Sequence, residues 1–139
     1  MSFHPEITRL SAKETWPLRQ QVLWPEKELE YVKLEKDEEG IHLGIKDQDG
    51  KVISVISAFE EKDHIQFRKF ATDPVWQGRG LGSLLLHGVM EEARKRLATR
   101  VWCNARVATA SFYERFDMQK TDQVFYKGDI EYLIMEKWL

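Results

Sequence analysis

The sequence has almost no cysteine, no long apolar run and no excess of charge of one sign. Its single cysteine, Cys103, excludes an internal disulfide and a zinc site built from several cysteines, so no metal is expected. No apolar stretch approaches the roughly 20 residues that span a bilayer, and the N-terminus lacks a basic start followed by an apolar segment. We therefore expect a cytoplasmic protein that neither enters a membrane nor is secreted.

The net charge is −2, and acidic and basic residues are interspersed along the chain. Such a balance lacks the broad positive surface that nucleic-acid binding requires, so nucleic acid is not an expected partner. A local basic pocket is still compatible with it, because a small polyanion needs only a few donors. The length of 139 residues supports one core, so residues 1–139 are expected to form a single domain.

Strand patterns dominate the chain. After a short strand near Ile7, polar turns separate three segments that predict an antiparallel meander, namely Ile41 to Lys46, Val52 to Phe59 and His64 to Thr72. Further strands are expected at Arg100 to Asn104, Val124 to Tyr126 and Ile130 to Trp138. In the His64 strand, Ile65 and Phe67 share one parity and Phe70 falls on the other. The alternation therefore slips near Arg68 and Lys69, which predicts a bulge.

Helical patterns lie between the strands. A capping box at Ser11 to Glu14 predicts a first helix that ends before Pro25, and a weaker helical stretch covers Leu29 to Leu34. A long helix is expected with Leu81, Leu84, Leu85, Val89, Ala93 and Leu97 on one buried stripe, and a short one from Ala108 to Phe116. The order strand, helix, strand from His64 to Asn104 requires a right-handed crossover between parallel strands. The fold class is therefore α/β with a mixed sheet.

A glycine-rich turn precedes the long helix. Backbone N–H groups at a helix start have no intrahelical partner, and Gly78, Gly80 and Gly82 let the backbone approach a phosphate closely. A P-loop is excluded because no Gly-Lys-Ser or Gly-Lys-Thr follows, and Ser83 breaks the dinucleotide pattern. A turn that serves only helix–sheet packing remains the alternative.

Two segments carry a resemblance to a known family. Phe70 to Leu85 resembles the acetyl-CoA signature of the GNAT superfamily of N-acetyltransferases, which Gln77, Gly80 and Gly82 match. Asn104 to Phe116 resembles the second family segment, in which an asparagine ends a strand before a short helix containing Phe-Tyr-Glu. The resemblance implies one GNAT-like domain: six to seven strands, a bulged and splayed fourth strand, and about four flanking helices.

The resemblance also implies acetyl-CoA as co-substrate, with no metal. The pyrophosphate would lie against the glycine turn, formed by Gln77, Gly78, Arg79, Gly80, Leu81, Gly82 and Ser83. The backbone of Phe70 and Ala71 would pair with the pantetheine arm, and Asn104 would face that arm or the reacting centre. Tyr113 would act as the general acid for the departing thiolate, since a phenol and a thiol have similar pKa values. Packing between helix and sheet is the alternative role for Tyr113.

The acceptor half of the site is less defined. Some family members carry a glutamate base where this chain has Gln66, which takes no proton at neutral pH. Other candidates for the base lie nearby in sequence, in what is otherwise a solvated hairpin turn, namely Glu60, Glu61, Asp63 and His64. The family's acceptor pocket corresponds to Arg19, Trp24, Tyr31, Phe125 and Tyr132, for whose aromatic members core packing is the alternative. Asp117 stands where the family commonly has glycine, and aspartate tolerates the left-handed conformation required there.

The functional expectation is an N-acetyltransferase that transfers an acetyl group from acetyl-CoA to a primary amine of a small molecule or peptide. Transfer would be direct, within a ternary complex. The alternative is a non-catalytic acyl-CoA-binding regulatory module, which Gln66 favours and which Asn104 and Tyr113 disfavour. A homodimer built on a sheet edge is a further possibility that the sequence leaves open.

Overall fold

Seven strands and three α-helices make up the computed structural model, which describes residues 3–139. The strands are β1 (Thr8–Leu10), β2 (Ile41–Lys46), β3 (Val52–Glu61), β4 (His64–Thr72), β5 (Arg100–Arg106), β6 (Gln119–Lys127) and β7 (Ile130–Trp138). The helices are α1 (Ala12–Leu23), α2 (Leu81–Lys95) and α3 (Ala110–Glu114). The second helical stretch expected at residues 29–34 is only a 3₁₀ helix, Leu29–Val32, so three α-helices flank the sheet instead of about four.

One mixed sheet contains every strand, in the order β1-β2-β3-β4-β5-β7-β6. All neighbours are antiparallel except β4 and β5, which pair in parallel. Helix α2 provides the crossover between these two strands, because parallel neighbours cannot be joined by a tight turn. The α/β class and the strand count that the sequence predicted are confirmed.

The predicted bulge lies in β4. Val55 pairs with Ala71 and Ser57 pairs with Arg68, so the single residue between them on β3 opposes Lys69 and Phe70. Lys69 adopts a φ of 55°, a left-handed conformation that a non-glycine residue takes only where its surroundings impose it. The parallel pairing with β5 ends at Gln66 and Trp102, and the two strands separate beyond it. We call this opening the strand gap.

The caps and turns follow the sequence signals with one exception. The Ser11 side chain accepts a hydrogen bond from the Glu14 amide, and Glu14 accepts one from the Ser11 amide, which completes the capping box. Asp117 adopts the left-handed conformation with φ 64°. Leu97 does not belong to the buried stripe: α2 ends at Lys95, Leu97 turns the chain with φ 57°, and its side chain is 84% exposed.

The two faces of the sheet are covered by different helices. On one face, α2 packs its buried residues Leu81, Leu85, Val89 and Ala93 on a cluster that includes Ile65 and Phe67. On the other face, Leu18 of α1 packs on Leu10, Val55 and Ala71. Within residues 3–139, no helix is both long and apolar enough to cross a membrane.

A buried ion pair lies between α1 and the sheet. Arg19 is fully buried, and its guanidinium donates from Nη1 to Asp37 Oδ2 (2.8 Å) and from Nη2 to Asp37 Oδ1 (2.9 Å). It also donates to the Val32 carbonyl oxygen (3.0 Å) and to Ser57 Oγ (2.8 Å). The carboxylate accepts two more hydrogen bonds, from Trp16 Nε1 and from the Leu34 amide.

The same pair organises a buried histidine. Burial lowers the pKa of His42, so its ring is neutral. Its Nε2 lies 2.7 Å from the Asp37 carbonyl oxygen and must therefore carry the proton, which leaves Nδ1 to accept from the Ser57 hydroxyl at 2.7 Å. Among residues 3–139, Arg19 Nε is the only fully buried side-chain nitrogen or oxygen without a partner.

Asp37→Asn is expected to destabilise the protein by about 3–5 kcal/mol at pH 7, because it leaves the buried Arg19 charge uncompensated. Burial opposes ionisation of Asp37, but hydrogen bonds from Arg19, Leu34 and Trp16 outweigh it and hold its pKa below the ordinary value. The stabilisation is therefore complete above the unfolded pKa of about 3.9 and is lost as the pH falls through the folded value. Urea unfolding of both proteins from pH 7 down to pH 2 should show their difference shrinking at the acidic end.

The matched control is Asp122→Asn on the exposed surface of β6, which should change the free energy of unfolding by less than about 0.5 kcal/mol. An Asp37→Asn protein as stable as the wild type at pH 7 would show that the ion pair does not hold α1 to the sheet.

Candidate functional site

The glycine turn has the backbone conformation that the sequence pattern predicts for a ligand cradle. Gly78 and Gly80 have φ values of 77° and 82°, in the left-handed region that only glycine enters easily. A Cβ added to either residue would meet no atom within 4 Å. These two glycines therefore serve the backbone path and leave open space beside it, and close packing does not explain them.

Gly82 differs from the other two glycines. A Cβ there would lie 3.2 Å from Cζ of Phe70, so this glycine does allow α2 to approach β4 closely. Gly80 is the N-cap of α2 and has no side chain to cap the helix. Among residues 3–139, the amides of Leu81 and Ser83 have no hydrogen-bond acceptor, and the first helical bond runs from Leu84 to Gly80 (3.1 Å). The positive end of a 15-residue helix thus faces the open side of the turn.

The side chains around the turn brace it. Gln77 donates from Nε2 to the Thr72 carbonyl oxygen (3.0 Å), which joins the turn to the end of β4. This bond uses one of the two N–H groups of the Gln77 side-chain amide, so one donor is left for a ligand. The Arg79 guanidinium lies over the Trp76 ring at 4.8 Å from the ring centroid, and its residue is exposed at the mouth of the turn.

The strand gap opens next to the turn. Phe70 and Ala71 lie on β4 beyond the last pair with β5, and Asn104 lies on β5 beyond the same point, paired with Ile134 of β7. The facing edges of β4 and β5 are therefore not bonded to each other there. Such edges accept an extended ligand as an added strand. The structure thus brings Phe70, Ala71 and Asn104 to one opening.

Tyr113 is packed on the α2 face of the sheet. Its ring lies 5.8 Å from that of Phe67 and 5.2 Å from that of Phe112, between centroids. Burial raises the pKa of its phenol above the ordinary value, with a smaller contribution from Cys103. Burial likewise raises the pKa of the Cys103 thiol to about 12, so Cys103 is not an activated nucleophile. This side of the gap is lined by partly buried aromatic rings.

A cavity of about 550 Å³ opens on the opposite face, which α1 partly covers. Strand alternation places His64, Gln66 and Arg68 of β4 in its wall, whereas Ile65 and Phe67 point into the core. The remaining lining residues are Leu34, Glu35, Lys36, Phe59, Glu60, Glu61, Lys62, Asp63, Arg100 and Trp102. The cavity therefore meets the strand gap at Gln66 and Trp102, where the pairing ends.

The residues expected around the acceptor lie outside the cavity lining. Arg19 has no exposed surface and is bound to Asp37, which argues against the expectation that it lines an acceptor pocket. Trp24 and Tyr31 pack edge to face at 5.1 Å, and Phe125 stacks on Tyr132 at 5.5 Å. The cavity also contains Trp102 and Arg100, which the sequence did not predict as site residues. Their shared parity on β5, next to His64 and Gln66 of its parallel neighbour, was the signal that could have found them.

Comparison with known proteins gives a family and a set of structural neighbours. A family model described as an acetyltransferase (GNAT) domain matches residues 17–139. An uncharacterized N-acetyltransferase of Bacillus subtilis, YitI, is 26% identical over 144 residues, with 96% of each chain covered. The match spans the glycine turn, the strand gap and the cavity.

Two solved structures share the fold at low identity. The ribosomal-protein-S18-alanine N-acetyltransferase of Escherichia coli superposes with a TM-score of 0.80 at 19% identity, covering 97% of this chain and 94% of its own. An aminoglycoside 6′-N-acetyltransferase complexed with coenzyme A gives 0.78 at 15% identity, with 96% of each chain covered. The acceptors in these two descriptions differ widely, so the shared fold does not identify an acceptor.

Proposed function

Because the chain belongs to the GNAT acetyltransferase family, we propose that it transfers an acetyl group from acetyl-CoA to a primary amine by direct transfer in a ternary complex. The observation that carries the proposal is the junction of three features: the uncapped start of α2, the strand gap, and the cavity on the other face of the sheet. A ligand with a pyrophosphate, an extended arm and a reactive end fits this order. The amine would approach from the cavity.

The residues of the turn suit the nucleotide end of acetyl-CoA. The open space beside Gly78 and Gly80 would hold the pyrophosphate, and the free amides of Leu81 and Ser83 would donate to it. Phe70, Ala71 and Asn104 would line the pantetheine arm along the strand gap. Acetyl-CoA supplies the acetyl group as a thioester, and all other steps fall to the chain's own residues.

Tyr113 is the residue proposed to protonate the leaving thiolate. Its raised pKa makes the phenol a weaker acid than in water. Burial shifts a thiol in the same direction, as the pKa of about 12 for Cys103 illustrates. The two acids therefore stay comparable, and proton transfer to sulfur remains nearly balanced.

His64 is the residue proposed to remove the amine's proton. Gln66 lines the cavity beside the strand gap but cannot act as a base. His64 lies two residues earlier on the same face, about 7 Å along the strand, a span that one or two water molecules can bridge. Its Nε2 lies 3.7 Å from Oδ1 of Asp63, which would stabilise the imidazolium that forms. From there the proton passes to solvent.

Two measurements test the proposal as a whole. Acetyl-CoA at 100 times its dissociation constant should stabilise the protein by about 2.7 kcal/mol in a thermal-shift titration. Free thiol should then appear in the presence of primary amines. If acetyl-CoA stabilises the protein but no amine causes thiol release, the protein is a binding module without chemistry. If acetyl-CoA neither stabilises the protein nor releases thiol with any amine, acetyl-CoA is not the co-substrate.

Gly80→Ala is expected to weaken binding of coenzyme A at least tenfold. The added Cβ would occupy the open side of the turn, and the left-handed conformation costs alanine about 1–2 kcal/mol. Gly50→Ala is the matched control, because Gly50 has φ 86°, no atom near its Cβ, and a position in the β2–β3 hairpin instead of the glycine turn. Calorimetric titration should show normal affinity for the control at a similar loss of stability. Equal affinities would mean that the turn does not hold the ligand.

Tyr113→Phe should lower kcat by about a hundredfold while the KM for acetyl-CoA changes little, because it removes a proton donor and keeps the ring. Tyr126→Phe, at an exposed position on β6, is the control. Steady-state kinetics with acetyl-CoA and an accepted amine provide the readout. A Tyr113→Phe enzyme with wild-type turnover would assign Tyr113 to packing alone.

His64→Ala should lower kcat/KM by about a hundredfold or more, and imidazole added to the buffer should restore part of the activity. His87→Ala is the control, since His87 lies on α2 against Phe116 on the opposite face of the sheet. If imidazole restores nothing and the two variants have equal activity, His64 is not the base.

A further inference from the structure

We propose that the acceptor is a free α-amino acid and that Arg68 binds its carboxylate while the amine faces the strand gap. The inference rests on the proposed function and adds the chemical class of the acceptor. It is carried by the position of Arg68, by the charges around it, and by the distribution of charge in the cavity.

Arg68 occupies the wall of the cavity next to the reacting end. It is the last residue before the bulge, two residues beyond Gln66 on the same face of β4. Its side chain is exposed to the cavity and forms no ion pair with another residue of the described chain, 3–139. An arginine stays charged in every protein environment, so this guanidinium is available to an anion.

The surroundings of Arg68 are cationic. The adjacent Lys69 is half-buried and also lacks an acidic partner within residues 3–139. Burial first, and then the charge of Arg68, lowers the pKa of Lys69, with smaller contributions of the same sign from Arg19 and Lys127. The one acid that opposes them, Asp37, is neutralised by its pair with Arg19. A carboxylate beside Arg68 would therefore enter a positive potential.

The other cations of the cavity either form ion pairs or lie far from Arg68. Arg100 donates to Glu136 at 2.8 Å and is flanked by the rings of Trp102 and Trp138. Lys36 lies 3.8 Å from Glu61. Lys62 has no ion pair among the described residues, but it lies in the hairpin turn at the start of β4, roughly 20 Å along the chain from Arg68.

The far end of the cavity carries charges of both signs. Glu35, Glu60, Glu61 and Asp63 line it together with Lys36 and Lys62, and Glu60 is paired with Arg96 and Glu61 with Lys36. Because Arg100 is already paired with Glu136, a carboxylate in the cavity finds a guanidinium without an ion pair, among the described residues, at Arg68. The cavity therefore orients a small zwitterion in one direction, with its carboxylate toward the bulge and its side chain toward the turn.

The chemistry of an α-amino acid matches this arrangement. Its amine and its carboxylate share one carbon atom, so a carboxylate bound by Arg68 holds the amine within a few ångströms of the strand gap. The planar guanidinium can bind both carboxylate oxygens at once, which also fixes the direction of the amine. An amide or a decarboxylated amine would leave Arg68 facing water and would lose that orientation.

The test compares matched acceptors in a thiol-release assay with acetyl-CoA and the full chain. The twenty amino acids are assayed first, and the best ones are then compared with their amides and with the corresponding decarboxylated amines. We expect kcat/KM to be about tenfold to a hundredfold higher for the acid than for its amide. Amides and simple amines that react as fast as the acids would overturn the inference.

Variants connect the preference to Arg68. Arg68→Gln should lower kcat/KM for the acid to the level that the same variant gives with its amide, and Arg68→Lys should keep part of the preference. Arg106→Gln removes an exposed arginine of β5 outside the cavity lining and should keep all of it. A preference that survives in Arg68→Gln contradicts the assignment of Arg68.

The test can reject the amino-acid acceptor without rejecting the proposed acetyl transfer. If other amines release thiol and no amino acid does, the acceptor class is wrong and the proposed function stands. If acetyl-CoA neither stabilises the protein nor releases thiol with any amine, the proposed function itself fails.

Discussion

The ion pair between Arg19 and Asp37 is the interaction on which the acceptor side of this protein depends. A buried ion pair is stable only when the other hydrogen-bonding groups of both side chains also have partners. Nearly all of these groups have partners here. The Leu34 amide donates to the same carboxylate, so the segment 34–36, which forms one wall of the cavity, is held by a charge buried beneath it. The stability of α1 and the shape of the cavity therefore have one origin.

The bulge in β4 divides the strand into two parts that contact different neighbours. Before it, His64 and Gln66 pair with β5 and face the cavity; after it, Ala71 pairs with β3 and faces α1, while the edge toward β5 is free. One extra residue thus converts a parallel pair of strands into a gap that reaches through the sheet. The aromatic side near Tyr113 and the charged cavity near Arg68 lie on opposite faces of the sheet at this gap.

Local signals in the sequence predicted the elements that local physics determines. The capping box at Ser11, the slipped parity around Lys69 and the glycines of the α2 turn all predicted what the structure contains, because each depends on neighbours along the chain. Leu97 was placed wrongly because a periodic pattern continues past the residue at which a helix ends. The resemblance placed Arg19 in the acceptor pocket, and its burial could not be foreseen because its partner, Asp37, lies 18 residues away and only folding brings it near. The cavity escaped prediction for the same reason, as its walls come from β3, β4, β5 and the segment 34–36.

The bulge also constrains how the chain can change in evolution. Loss of one residue between Arg68 and Ala71 would restore simple alternation, with Ala71 still opposite Val55 and still under α1. The core would keep its side chains, but β4 would lose the irregular segment that lies where its pairing with β5 ends. A substitution in β4 changes one site, whereas a deletion at the bulge changes the path of the strand edge along the gap. We therefore expect the length of this strand to vary less among relatives than the identity of its residues.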